Sequence, residues 1–133
     1  MAFVLDASIC AVWALSDESH PLADTAMVRL RTEQAQVPDL WWFEIRNVLT
    51  ISERRKRITA QGSTEFLEFL AGFPIWNDQE PDETAIFGLA RRYQLSFYDA
   101  AYLEVAQRRG IPLATLDSAL RQAAEAVGVK LLA

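Results

Sequence analysis

Length, composition and charge restrict this chain to a few protein classes. Its 133 residues are 51% hydrophobic and 23% charged, which predicts one folded domain over residues 1–133 with a proper core. The formal net charge of −5 argues against a protein that binds nucleic acid through simple electrostatics. A single cysteine, no signal-like N-terminus and no apolar run of about 20 residues predict a cytoplasmic protein without a membrane segment.

Strands and helices are predicted to alternate along the chain. Short apolar runs predict strands over residues 2–5, 35–38, 73–76, 111–116 and 129–132. Segments with helical periodicity predict helices over residues 9–15, 22–33, 39–57, 64–72, 81–93, 99–109 and 118–127. This alternation is typical of an α/β fold, in which a mostly parallel sheet of about five strands lies between helices on both faces.

Several common kinds of site are absent from the sequence. The glycines are not clustered, and neither G-x-G-x-x-G nor G-x-x-x-x-G-K-[ST] occurs, which argues against a dinucleotide or P-loop site. His20 is the only histidine, so a histidine-based zinc site or a Ser-His-Asp triad is not expected. Cys10 lies in an apolar helix and is expected to be a core residue.

Three acids lie where a predicted strand passes into a helix or where a helix begins. Asp6 and Asp117 follow the first and fourth strands, and Asp99 opens the helix 99–109. Open α/β sheets bind ligands beyond the carboxyl ends of their strands, on the edge where the following helices begin. Each acid has an alternative explanation, because Asp is a favoured N-cap and interacts well with a helix N-terminus.

Glu44 is harder to explain as a cap, because it lies inside the helix 39–57. Helical spacing places it on one face with Trp41, Asn47 and Val48, which is largely the buried side. Burying a lone carboxylate is costly unless the group is paired or binds a metal ion. Asn47 is placed to orient Glu44 or a bound water. The alternative is a salt bridge from Glu44 to an arginine of another helix.

Together these four acids predict a metal site. Four carboxylates in one crevice repel one another unless a cation neutralises them. Ligands that are all oxygen, without histidine or cysteine, select hard ions such as Mg²⁺ or Mn²⁺. Such ions activate water and stabilise a phosphate transition state, so phosphodiester hydrolysis is the natural chemistry.

Four short motifs resemble those of PIN domains, and more narrowly those of VapC-type toxins. They occur in the family's order and span the chain: FVLDAS at 3–8, EIRNVL at 44–49, YDAAYL at 98–103 and ATLD at 114–117. The resemblance implies a Rossmann-like, three-layer domain that acts as a metal-dependent endoribonuclease, with Asp6, Glu44, Asp99 and Asp117 as its acids. It also implies Ser8 and Thr115 as supporting polar groups, a homodimer, and a small VapB-like antitoxin that blocks the site.

Two further surface features bear on partners. Arg46, with Arg54 and Arg55 in the basic run 54–57, is a candidate for guiding RNA, although a basic helix end is often simply solvated. Trp41 and Trp42 are adjacent and cannot share one helix face. One of them is a candidate for a dimer or antitoxin surface, with core packing as the alternative.

Two other functions remain open from the residues alone. A receiver-like or phosphatase domain with an acidic pocket needs a positioned lysine, and the only lysines, Lys56 and Lys130, are at neither strand-to-helix junction. A non-catalytic binding module is the other alternative. It requires that the acids act as caps and that Glu44 pairs with an arginine.

Overall fold

The computed structural model describes residues 1–133 and contains four strands and seven helices. The strands are β1 (Ala2–Leu5), β2 (Gln34–Val37), β3 (Ile75–Asn77) and β4 (Leu113–Ala114). The helices are α1 (Ala7–Ala14), α2 (Pro21–Arg29), α3 (Leu40–Arg54), α4 (Ala60–Ala71), α5 (Glu83–Tyr93), α6 (Phe97–Arg109) and α7 (Ser118–Ala126). No helix combines the length and apolar character needed to cross a membrane.

The four strands form one parallel sheet in the order β3-β2-β1-β4. Val4 in β1 pairs with Gln36 of β2 on one side and with Leu113 of β4 on the other. The chain moves outward from β1 through β2 to β3 and then crosses back to β4. Because parallel crossovers are right-handed, this reversal places α5 and α6 on the opposite face from α1 to α4. The predicted α/β architecture, with a parallel sheet between helices, is confirmed.

The core lies on both faces of β1, where Phe3, Val4 and Leu5 are fully buried. Strands covered on two faces are apolar along their whole length, which explains the run of three large apolar side chains. On one side, α6 presents seven consecutive buried residues, from Ala100 to Ala106. The small side chains of Ala100, Ala101 and Ala106 let this helix lie close to the sheet.

The predicted fifth strand is wrong in extent. Over residues 129–132 only Leu131 pairs, through an isolated parallel bridge to Leu113. The segment is held by Leu113 N donating to Lys130 O at 2.9 Å and Leu132 N donating to Leu113 O at 3.0 Å. The β4 partner is only two residues long and begins after Pro112, so it offers too short an edge for a full strand.

Several helix boundaries also differ from the prediction; the helix predicted over 22–33, for example, ends at Arg29. The helix predicted over 39–57 ends at Arg54, and Lys56 adopts a φ of 58°, a left-handed conformation that interrupts a helix. The helix predicted from residue 64 begins at Ala60, because Thr59 caps it by accepting a hydrogen bond from Gly62 N at 3.0 Å.

A buried ionic network joins the segment after β3 to α6. The Asp78 and Glu104 side chains are about 1% and 2% exposed, and both pair with Arg108. Arg109 adds a second contact to Asp78 at 2.7 Å. These arginines are therefore committed to holding the fold and are not free surface charges.

Candidate functional site

Asp6 lies directly after β1 and is 6% exposed. Two hydroxyls donate to the same carboxylate oxygen, Oδ2: Ser8 Oγ at 2.7 Å and Thr115 Oγ1 at 2.6 Å. Asp6 occupies the N-cap position of α1, but its side chain makes no capping hydrogen bond. Burial raises the pKa of Asp6, the two hydroxyls lower it, and the charge of Asp117 raises it further. The capping explanation for Asp6 therefore fails in this structure.

Thr115 and Ser8 link the loops that follow two neighbouring strands. Thr115 Oγ1 accepts from Asp117 N at 3.1 Å while it donates to Asp6. Ser8 Oγ accepts from Leu116 N at 3.0 Å in the same way. The two hydroxyls therefore fix the position of the Asp6 carboxylate relative to the backbone that carries Asp117.

Asp117 does act as a helix cap. Its Oδ2 accepts from Leu120 N at 2.9 Å at the start of α7. The same side chain also lines the cavity that contains Asp6. Because a carboxylate has two oxygens, the Asp117 side chain can cap α7 and line the cavity at the same time.

Asp99 lies in the first turn of α6 and not at its start. The helix begins at Phe97, and the cap is Ser96, which accepts from Asp99 N at 3.0 Å. The prediction that Asp99 opens this helix is wrong by two residues, because a serine cap lies upstream. Burial, followed by the charges of Asp117 and Asp6, raises the pKa of Asp99 to about 6.

Glu44 receives a hydrogen bond from Tyr102 and forms no salt bridge. Tyr102 Oη donates to Glu44 Oε1 at 2.6 Å, and Tyr102 itself is fully buried. Burial raises the pKa of Glu44, the bond from Tyr102 lowers it, and the charges of Asp6 and Asp99 raise it further. The alternative of an arginine partner for Glu44 is not met in this structure.

The four predicted acids line one cavity of about 270 Å³. Its walls also include Ser8 and Asn47, and Asn47 makes no hydrogen bond to Glu44. The remaining lining residues are small or apolar: Ala7, Ala11 and Val48. No lysine, arginine or histidine lines the cavity, so no basic side chain in its walls balances its negative charge.

This donor set fits a hard divalent cation in its chemistry. All four acids offer oxygen, and each of Asp6, Glu44 and Asp99 has its pKa raised by a neighbouring acid of the group. In the geometry of the structure, however, no three His, Cys, Asp or Glu side chains converge closely enough to hold an ion.

The predicted arginines lie in different parts of the structure. Arg46 lies in a groove beside the cavity, and its guanidinium carbon is 3.9 Å from the centroid of the Trp42 ring. Arg54 and Arg55 are exposed at the far end of α3, about 15 Å along the helix axis from Glu44. Arg57 pairs with Asp17 at 3.0 Å and Glu18 at 2.7 Å.

Sequence reasoning missed Tyr102. It follows Asp99 by three residues, so both lie on the same side of α6. That spacing is the feature of the sequence that could have identified Tyr102 as a site residue. The tryptophans separate as expected for neighbours on a helix, since Trp41 is 7% exposed and Trp42 is 48% exposed.

Comparison with known proteins identifies the family. The sequence model of the PIN domain matches residues 3–126. The chain therefore belongs to the PIN-domain family. Its similarity to VapC-type members is confirmed by Ribonuclease VapC3 of Pyrobaculum aerophilum, which is 30% identical over 129 residues, 94% of each chain.

Two crystal structures share the fold. The protein PAE2754 of Pyrobaculum aerophilum superposes with a TM-score of 0.72 at 22% identity, covering 92% of this chain and 84% of that one. VapC20 of Mycobacterium tuberculosis, described as a toxin that cleaves the sarcin–ricin loop, gives a TM-score of 0.61 at 14% identity, covering 92% and 95%. At these identities the likeness concerns the fold.

Proposed function

We propose that this chain is a metal-dependent endoribonuclease and the toxin of a toxin–antitoxin pair. The observation that carries the proposal is the cavity that Asp6, Glu44, Asp99 and Asp117 line together, without any basic side chain in its walls. The names of two relatives, a ribonuclease and an RNA-cleaving toxin, support the choice of RNA as substrate.

In the proposed mechanism, Asp6, Asp99 and Asp117 would hold Mg²⁺ or Mn²⁺ directly or through water. The bound ion would supply positive charge that favours ionisation of a water and stabilises the phosphorane-like transition state. Ser8 and Thr115 keep the Asp6 carboxylate in place. Glu44, oriented by Tyr102, completes the site and accepts a proton from the water that attacks the phosphorus in line. The P–O bond opposite this water breaks, and the leaving oxygen takes a proton from solvent.

The partners follow from the same proposal. A toxin of this kind requires a VapB-like antitoxin that covers the cavity, and we propose a homodimer in the cytoplasm. The buried, free Cys10 is compatible with a reducing compartment. The exposed Trp42 is a candidate contact for one of these partners, since aromatic residues are enriched in interface cores.

The two alternative functions are less well supported. A receiver-like or phosphatase site needs a lysine beside the acids, and neither Lys56 nor Lys130 lines the acidic cavity. A non-catalytic module requires that all the acids act as caps and that Glu44 has an arginine partner. Of the four acids, only Asp117 caps a helix with its side chain, and Glu44 bonds to Tyr102.

The deciding experiment is cleavage of a labelled RNA pool by the purified protein. Cleavage is expected with Mg²⁺ or Mn²⁺, with loss in EDTA and in the variant Asp6→Asn, which also controls for a co-purifying nuclease. A folded protein that neither cleaves RNA nor binds Mn²⁺ would instead support the binding module. Clear Mn²⁺ binding without cleavage of the pool would point to a narrow substrate, to be found by mapping cut RNAs in cells that express the protein.

A further inference from the structure

A second concave surface adjoins the acidic cavity. This groove has a volume of about 830 Å³ and is lined by Leu40, Phe43, Glu44, Arg46, Asn47, Thr50 and Tyr98. Two of these residues, Glu44 and Asn47, also line the acidic cavity. The groove and the cavity therefore adjoin one another along α3, so a ligand bound across both would contact the acids and the groove.

Two exposed aromatic side chains border the groove. Phe43 is 68% exposed and Tyr98 is 62% exposed. Each directly precedes a candidate acid in the sequence, Phe43 before Glu44 on α3 and Tyr98 before Asp99 on α6. The two helices that supply acids to the cavity thus each present an aromatic ring at its rim.

The polar side chains of the groove need a polar partner. Arg46 forms no ion pair with a carboxylate, and its Nη1 donates to Trp42 O at 3.0 Å, which holds the guanidinium in place. A protein surface of ordinary apolar character would bury this unpaired charge together with Glu44 and Asn47, at a cost in free energy. A phosphate group would satisfy Arg46 directly.

We propose that this aromatic groove is a subsite for an unpaired nucleobase of single-stranded RNA, adjacent to the phosphate that is cleaved. The inference rests on the proposed ribonuclease function. Phe43 and Tyr98 offer flat faces for stacking, Arg46 contacts a phosphate, and Asn47 and Thr50 can bond to the polar edges of the base. A base in a duplex is stacked on its neighbours and cannot enter such a site, so single-stranded segments are selected.

RNA binding without cleavage tests the subsite. In the full-length Asp6→Asn background, fluorescence anisotropy would measure the affinity for a short labelled RNA, single-stranded or annealed to its complement. We expect Phe43→Leu and Tyr98→Leu each to weaken single-strand binding about 5- to 100-fold. We expect Phe43→Trp and Tyr98→Phe, which keep an aromatic ring, to retain it. Phe69→Leu is the matched control, because Phe69 is an exposed aromatic on α4, away from the groove.

Two results would overturn the subsite. One is an unchanged affinity for single-stranded RNA in both leucine variants. If those variants alter only the oligomeric state, measured by light scattering, then a second copy of the chain covers the groove. The other is equal weakening for single-stranded and annealed RNA, which would indicate a backbone contact. Cleavage by the wild-type protein is measured separately. Its absence, with aromatic-dependent binding intact, contradicts the proposed nuclease and not the subsite.

Discussion

The hydrogen bond between Tyr102 and Glu44 gives the site its most direct single-residue test. A bond from a neutral donor to a charged group contributes about 1.5–3 kcal/mol. Without it, the pKa of Glu44 would rise further, because burial and two neighbouring acids already raise it. We expect Tyr102→Phe to weaken Mn²⁺ binding and slow RNA cleavage, each by about tenfold or more.

A double-mutant cycle separates this role from simple packing. If Tyr102 acts through Glu44, then adding Tyr102→Phe to Glu44→Gln should change Mn²⁺ affinity, measured by calorimetry, very little. Tyr93→Phe, on another helix, provides the matched loss of a hydroxyl. Equal effects of Tyr102→Phe in the presence and absence of the Glu44 carboxylate would show that the phenol only supports the fold.

Asp99 makes the metal-free protein sensitive to pH. Its pKa of about 6 in the folded protein lies above the usual value of 3.8, so the folded state binds the proton more tightly than the unfolded state. The stabilisation is therefore present below pH 4 and is lost as the pH rises through 6. Asp99→Asn in EDTA should be about 1 kcal/mol more stable than wild type at pH 7.5, after allowance for solvent screening, and equal to it near pH 4.

Urea unfolding at the two pH values measures this difference. Asp24→Asn is the control, since Asp24 is an exposed acid in the first turn of α2. If Asp99→Asn is no more stable than wild type at pH 7.5, the carboxylates do not repel one another measurably. The electrostatic argument for a cation in the cavity would then fail.

The four acids could be predicted from the sequence, but their partners could not. Asp6, Asp99 and Asp117 each stand beside an apolar segment whose end is visible in the sequence, and Glu44 interrupts an apolar helix face. Tyr102 was not predicted, because its phenol reaches Glu44 across 58 residues of sequence and only the tertiary fold brings the two together. Ser96 was missed because helix starts are set by local capping bonds that vary by a residue or two.

Among the elements, the junctions after β1 and β4 define where the site can form. The chain leaves β1 towards β2 on one side, whereas β4 lies on the other side of β1, so the strand order reverses between these two strands. Open α/β sheets bind ligands at such a reversal. Only the edge of the sheet, at the carboxyl ends of its strands, followed from the alternation of strands and helices in the sequence. The length of the last strand did not, because it depends on how much of β4 remains available as an edge.

The hydroxyl of Thr115 joins these two junctions, and its removal should affect both. Thr115→Val keeps the shape of the side chain but takes a donor from the buried Asp6 carboxylate and an acceptor from Asp117 N. We expect a loss of about 1–3 kcal/mol in the free energy of unfolding, measured in urea. Thr115→Ser retains the hydroxyl and should recover most of it. A Thr115→Val variant as stable as wild type would show that the hydroxyl does not hold the two junctions together.

For the whole molecule, the acidic cavity connects ion binding to global stability. The net charge is −5, and the charges of the four cavity acids repel one another in the folded state. An ion that binds only the folded protein stabilises it by about 2.7 kcal/mol at a concentration 100 times its Kd. In a chain of this size, we expect Mn²⁺ to raise Tm by roughly 8 °C at that concentration.

The location of that ion can be read from two variants. In differential scanning fluorimetry, Tm of wild type and of Asp24→Asn should rise with Mn²⁺ concentration, whereas Tm of Asp6→Asn should stay nearly constant, because the first ligand at the strand reversal is lost. A parallel rise in all three proteins would place the ion on the acidic surface outside the cavity. A wild-type Tm that does not respond to Mn²⁺ or Mg²⁺ would mean that the four carboxylates hold no ion, and the proposed hydrolysis would lose the charge that it requires.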